Sequence, residues 1–193
     1  MDYFTTTGAA SRHTASAIIV GVYEGGKLSA AAADIDKATD GLLGKLVKSG
    51  AISGKAGKAS VHNSLQGVRT QRVVTVGLGK AGEFGITAFR KATAAAMTAL
   101  ETHKISDLLS YLTLEAVSDA SPYYLARHTV QAVGDALYRF EVMKSTPRSR
   151  PTTLKKVGLA VAKRGDRVQA ELGAEHADAI VQAMALAKDL GNL

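Results

Sequence analysis

The chain contains no cysteine, which excludes disulfides, thiolate metal sites and a cysteine nucleophile, and is compatible with a reducing compartment. Tryptophan is absent too, and aromatics supply 5% of the residues, so the interior must be assembled from Ala, Val, Leu and Ile. That composition suits helices packed on a sheet. No apolar run approaches the roughly 20 residues that span a bilayer. The first residues, Met1-Asp2-Tyr3-Phe4 and three threonines, lack the basic-then-apolar design of a secretory signal. The expected location is the cytoplasm.

Acidic residues are missing from Val142 to Gly165, where Lys144, Arg148, Arg150, Lys155, Lys156, Lys163 and Arg164 fall. The whole chain carries 24 basic and 17 acidic residues, a net charge of +7. Those seven cations therefore equal the entire excess, and the rest of the chain is balanced. The 193 residues, 46% of them hydrophobic, are enough for one domain with a substantial core.

The runs Tyr3 to Thr7 and Ala17 to Tyr23 read as strands. From Leu28 a helical pattern follows with Ser29 as N-cap, possible breaks at Asp40-Gly41 and Gly44, and an end at Gly50. Ala59 to Asn63 and Arg72 to Gly77 read as a strand pair with a loose connection. A helix capped by Thr87 is expected over Ala88 to His103, and a strand over Asp107 to Leu114. Ser121-Pro122 is a strong helix start, with Tyr123, Ala126, Val130, Val133, Leu137 and Phe140 on one face. After the basic loop come a strand, Val157 to Ala162, and a long helix, Asp166 to Leu190. This order gives an α/β fold, a largely parallel or mixed sheet of about six strands with helices on both faces.

Gly77-Leu78-Gly79-Lys80-Ala81-Gly82 fits G-x-G-x-x-G at the end of an apolar strand. A dinucleotide site requires the helix to open inside the glycine turn and an acid at the end of the next strand. Here Glu83 to Ile86 intervene before Thr87, and Glu101 lies within a helix, so the glycines read as a strand-end turn. The histidines His13, His62, His103, His128 and His176 are scattered, with no H-E-x-x-H. Asp36 and Asp40 read as solvated acids sharing a helix face. Lys144, Arg148, Arg150, Lys155 and Lys156 are candidates for phosphate-backbone contact, although a proline-bearing connector has the same composition.

Several fragments together resemble the N-terminal domain of the leucyl aminopeptidase (cytosol aminopeptidase) family of metallopeptidases. They are Ile19-Val20-Gly21-Val22-Tyr23-Glu24 with Leu28-Ser29, Asp36-Lys37-Ala38-Thr39-Asp40-Gly41 with Leu46-Val47-Lys48-Ser49-Gly50, and His62 and Gly67-Val68 with Arg72 to Lys80. Ala187-Lys188-Asp189-Leu190-Gly191-Asn192 looks like the junction to the family's catalytic domain. The resemblance implies a macro-domain-like α/β/α sandwich over residues 1–185, with residues 186–193 beginning the junction. It also implies a parent enzyme that releases N-terminal amino acids using two divalent metals, manganese or zinc, and that assembles as a hexamer, whereas this chain alone is expected to be monomeric. The family's metal ligands and its Asn-Thr-Asp-Ala-Glu-Gly-Arg signature lie in the catalytic domain. No such motif occurs here, so no catalytic or metal-binding residue is assigned. Two other roles remain open: DNA binding, known for some bacterial members, and ADP-ribose or nucleotide binding, suggested by the macro-like fold.

Overall fold

The computed structural model describes residues 1–118, 120–141 and 153–193. Six strands form one sheet: β1 (Asp2–Thr6), β2 (Ala17–Tyr23), β3 (Ala59–Asn63), β4 (Arg72–Gly79), β5 (Asp107–Ser110) and β6 (Lys156–Ala160), in the order β1-β6-β5-β2-β4-β3. All neighbours are parallel except β3, which runs antiparallel to β4 at one edge. The helices are α1 (Ala30–Ala38), α2 (Leu42–Lys48), α3 (Ile86–Leu100), α4 (Pro122–Leu137) and α5 (Arg167–Asn192).

Every residue of β2 is buried, as expected for a central parallel strand covered on both faces. The pleat divides it: Ala17, Ile19 and Tyr23 meet Val74, Val76 and Leu78 beneath α3, α4 and α5. Ile18, Val20 and Val22 turn the other way, toward Ile35 of α1 and Leu43 of α2. The result is three layers, helix on sheet on helix, with two cores. Each buried Val, Leu or Ile contributes about 1.5–3 kcal/mol relative to exposure.

Ser29 caps α1 by accepting the Ala32 N–H at 3.2 Å. The helix stops where Asp40 and Gly41 take φ of 52° and 76°, a left-handed turn that glycine enters without strain. Gly44 does not break the next segment. Its N–H, the third of α2, is satisfied by Asp36 Oδ1 at 2.8 Å. Asp36 is therefore a capping group, and since α1 ends at Ala38, Asp36 and Asp40 share no helix face.

Several expected boundaries shift, among them the end of the last strand, at Ala160 instead of Ala162, and the end of α3, at Leu100 instead of His103. α3 begins at Ile86 with Gly85 as N-cap, so Thr87 lies inside the helix. β5 ends at Ser110, because the chain folds into a short 3-10 turn that buries Leu112 while Thr113 Oγ1 donates to the Ala160 carbonyl at 2.6 Å. α4 ends at Leu137, leaving Phe140 beyond it.

α4 and α5 run parallel in close contact. A Cβ on Gly173 would lie 2.2 Å from the Tyr123 carbonyl oxygen, and one on Gly134 would lie 2.4 Å from Val181 Cγ1. Further along, Tyr138 Oη donates to Asp189 Oδ1 at 2.9 Å.

Candidate site at the carboxyl edge of the sheet

In open α/β sheets, ligands enter at the carboxyl ends of two adjacent strands whose outgoing connections leave to opposite faces. Here those strands are β2, which leads to α1, and β5, which leads to α4. The crevice between them is filled by the chain itself. Tyr23, the last residue of β2, is 8% exposed. Its Oη donates to Glu115 Oε2 at 2.7 Å, and its ring stands edge-on to Phe84 at 5.9 Å between centroids. Burial, reinforced by Glu115, pushes the Tyr23 phenol well above its ordinary pKa.

Burial also raises the Glu115 pKa, against the opposing effects of hydrogen bonds from Tyr23 and Ser29 and the charge of Lys27. A carboxylate guarding the crevice disfavours a phosphate there. Sequence spacing gave no signal for this pair, because its members lie 92 residues apart.

The glycine turn beside the crevice is equally committed. Gly77 donates to the Lys58 carbonyl at 2.7 Å and accepts from Gly57 at 3.0 Å, while Gly79 donates to the Gly54 carbonyl at 2.9 Å. A Cβ on Gly77 would sit 2.0 Å from the Lys55 oxygen. Gly79 holds φ of 80°. The N–H groups of Gly77 and Gly79, the first two glycines of the motif, are thus used in packing the turn at residues 53–58 onto β4. A short 3-10 turn, Ala81–Glu83, follows, and the first α-helix opens only at Ile86, beyond the motif.

Of the basic candidates, Lys144, Arg148 and Arg150 lie outside the described residues. Lys155 and Lys156 are exposed at the amino edge, opposite the crevice. The Lys155 N–H is bound to the Ser106 carbonyl at 2.8 Å, and the charge of Lys156 faces Asp107. Among the described residues, no group of three or more His, Asp or Glu side chains converges as a metal site, and no helix is long and apolar enough to cross a membrane.

Two hollows lie away from the crevice. A groove of about 270 Å³ between β1 and α5 is lined by Tyr3, Thr5, Glu171, Glu175 and Asp178 among others. Its floor is tied by Thr5 Oγ1 donating to Glu171 at 2.7 Å. A cavity of about 90 Å³ beside Thr113, Pro122 and Val161 is well below the several hundred Å³ typical of ligand clefts.

Two of the solved structures that share the fold illustrate the likeness. A tomato leucine aminopeptidase mutant superposes with a TM-score of 0.72 at 15% identity, covering 94% of this chain and 36% of that one. A Trypanosoma brucei macrodomain in complex with ADP gives 0.63 at 10% identity, covering 89% and 68%. At those identities the likeness is one of macrodomain-like architecture. In sequence, the chain is 34% identical over all 193 residues to a probable cytosol aminopeptidase of Methylobacillus flagellatus, of whose length it spans 39%. The model of the cytosol aminopeptidase family N-terminal domain matches residues 19–147. With this match running through both cores and the crevice between β2 and β5, the chain belongs to the cytosol aminopeptidase family, as its N-terminal domain.

Proposed function

We propose that this chain is the non-catalytic, accessory domain of a leucyl aminopeptidase. The observation that carries the reading is the alignment: the entire chain matches a relative of which it spans only 39%. In this reading the remaining part of the enzyme holds two divalent metals, manganese or zinc, which activate water for hydrolysis of N-terminal peptide bonds. The present domain packs against that part and shapes access to it. The parent assembles as a hexamer in the cytoplasm, and the isolated domain is monomeric.

Two structural features support an accessory role. The crevice that the fold offers is occupied by Tyr23 and Glu115. The helix α5 continues unbroken from Arg167 to Asn192, so the proposed boundary between the domain over residues 1–185 and the junction over 186–193 falls within one continuous helix. The test is hydrolysis of leucine p-nitroanilide by the purified chain with added manganese. No turnover above the metal blank is expected, and measurable, protein-dependent turnover would overturn the reading. Light scattering should show a monomer, and a stable hexamer would contradict the proposed division of labour.

A further inference from the structure

A band of positive charge crosses the outer surface of α3 and α4. Both helices leave the carboxyl edge in the same direction and pack together, so their second turns are neighbours. There the charge of Arg90 of α3 acts on His128 of α4, as does that of its neighbour Arg127. Burial lowers the His128 pKa, and the charges of Arg90 and Arg127 lower it further, against the opposing effect of a hydrogen bond with Gln131. Arg127 Nε and His128 Nδ1 are shielded from solvent without a hydrogen-bond partner. The ion pairs found among the described residues, Lys80–Glu83, Arg139–Glu101 and Lys188–Asp135, leave Arg90 and Arg127 unpaired.

The band continues on the other side of Arg90. The Lys91 side chain lies over the turn at Gly57, where an added Cβ would be 2.8 Å from Lys91 Cε. It thus adjoins Lys58 and Lys55, both exposed. The N-terminal turns of α3 and α4 add the positive end of two helix dipoles.

Unpaired guanidinium groups held beside an imidazole repel one another, and an occluded guanidinium N–H without a partner is costly. An oxyanion bound between the guanidinium groups relieves their repulsion, and the planar fork of arginine suits a tetrahedral phosphate. We propose that Arg90, Arg127 and His128 form a phosphoryl-binding site, extended by Lys91 and Lys58 toward ligands that carry more than one phosphate. This goes beyond the accessory role proposed above and does not depend on it. The same chemistry is offered by a soluble oligophosphate and by a nucleic acid backbone.

The experiment titrates the intact chain with sodium tripolyphosphate at constant ionic strength, following the imidazole signals of His128 by NMR. Saturable binding is expected, with the His128 pKa rising as the bound anion offsets the two guanidinium charges. Arg90→Gln and Arg127→Gln should each weaken binding about tenfold or more, the scale of a lost charge-assisted hydrogen bond. Lys104→Gln, beyond the far end of α3, should leave it unchanged. Arg90 is exposed, so its variant keeps the test decisive even if Arg127→Gln disturbs packing.

A second arm measures anisotropy with a short duplex DNA. Duplex binding that both arginine variants weaken, without tripolyphosphate binding, would assign the phosphate to a nucleic acid. Non-saturating shifts, shifts matched by chloride at equal ionic strength, or binding of either probe indifferent to Arg90→Gln would overturn the proposal.

Discussion

Tyr23 at the end of β2 donates its phenolic proton to Glu115 just past β5, joining two connections that leave the sheet on opposite faces. This bond closes the crevice and makes stability depend on pH. Burial raises the Glu115 pKa above its ordinary 4.5, so the folded state holds that proton more tightly than the unfolded chain. The contribution is fully present below about pH 4.5 and is lost as pH rises through the folded value. Glu115→Gln removes the titration. In urea unfolding, the variant should gain on the parent as pH rises above about 4.5, and a constant difference would contradict the assignment.

The glycine motif offers a sharper contrast. Gly77→Ala drives a methyl into the Lys55 carbonyl and is expected to destabilise by about 1–3 kcal/mol. Gly82 is the last glycine of the same motif, but nothing lies within 4 Å of its Cβ position and its φ is not positive. Gly82→Ala should change stability by no more than roughly 0.5 kcal/mol. Calorimetric unfolding separates the two, and equal losses, or saturable NAD binding, would restore the dinucleotide reading.

At the opposite edge, Asp107 fastens the start of β5 to the start of β2. Its oxygens accept from Ser16 N at 3.2 Å, Ser16 Oγ at 2.6 Å and Ser106 Oγ at 2.7 Å. Burial works against the charge, but these bonds and Lys156 prevail, and the pKa falls below its ordinary 3.8. The stabilisation is present above that value and disappears as pH falls through the lower, folded one. Asp107→Asn should lose about 1–2 kcal/mol at neutral pH and less than the parent on acidification, both read from urea midpoints.

The seam between α4 and α5 depends on two small residues, and they should not respond alike. Gly173→Ala meets the Tyr123 backbone, which cannot rotate away, whereas Gly134→Ala meets the Val181 side chain. A loss of about 2–3 kcal/mol is expected for the first and about 1–2 kcal/mol for the second. Thermal melts showing the reverse order would place the tighter contact at Val181.

The sequence was most readable where one physical signal acted alone. Ser29 marked a helix start because its cap is local, Pro122 another because its fixed φ suits the first helical position, and β2 was visible because a strand buried on both faces leaves an uninterrupted apolar run. Asp107 to Leu114 misled for the same reason: an apolar run does not reveal that the chain turns at Tyr111 to bury Leu112. Thr87 looked like a cap by residue type, yet Gly85 sits where the backbone changes direction. The crevice was illegible because Tyr23 and Glu115 meet through topology. Arg90, Arg127 and His128 were hidden similarly: no segment around them is notably basic, and the band forms only when α3 lies beside α4.

The pairing of β1 with β6 also sets a timetable. Asp2 is in register with Lys156 and Thr6 with Ala160, so within this domain β1, synthesised before the other five strands, waits for β6, the last of the six, before it has a partner. Contacts separated that widely in sequence slow the search for the native state. The β3–β4 hairpin and its packing with β2 draw on nearby residues and are free to form early. Sheet completion is therefore the late event in folding, and moving β1 to follow α5 by circular permutation should shorten the wait.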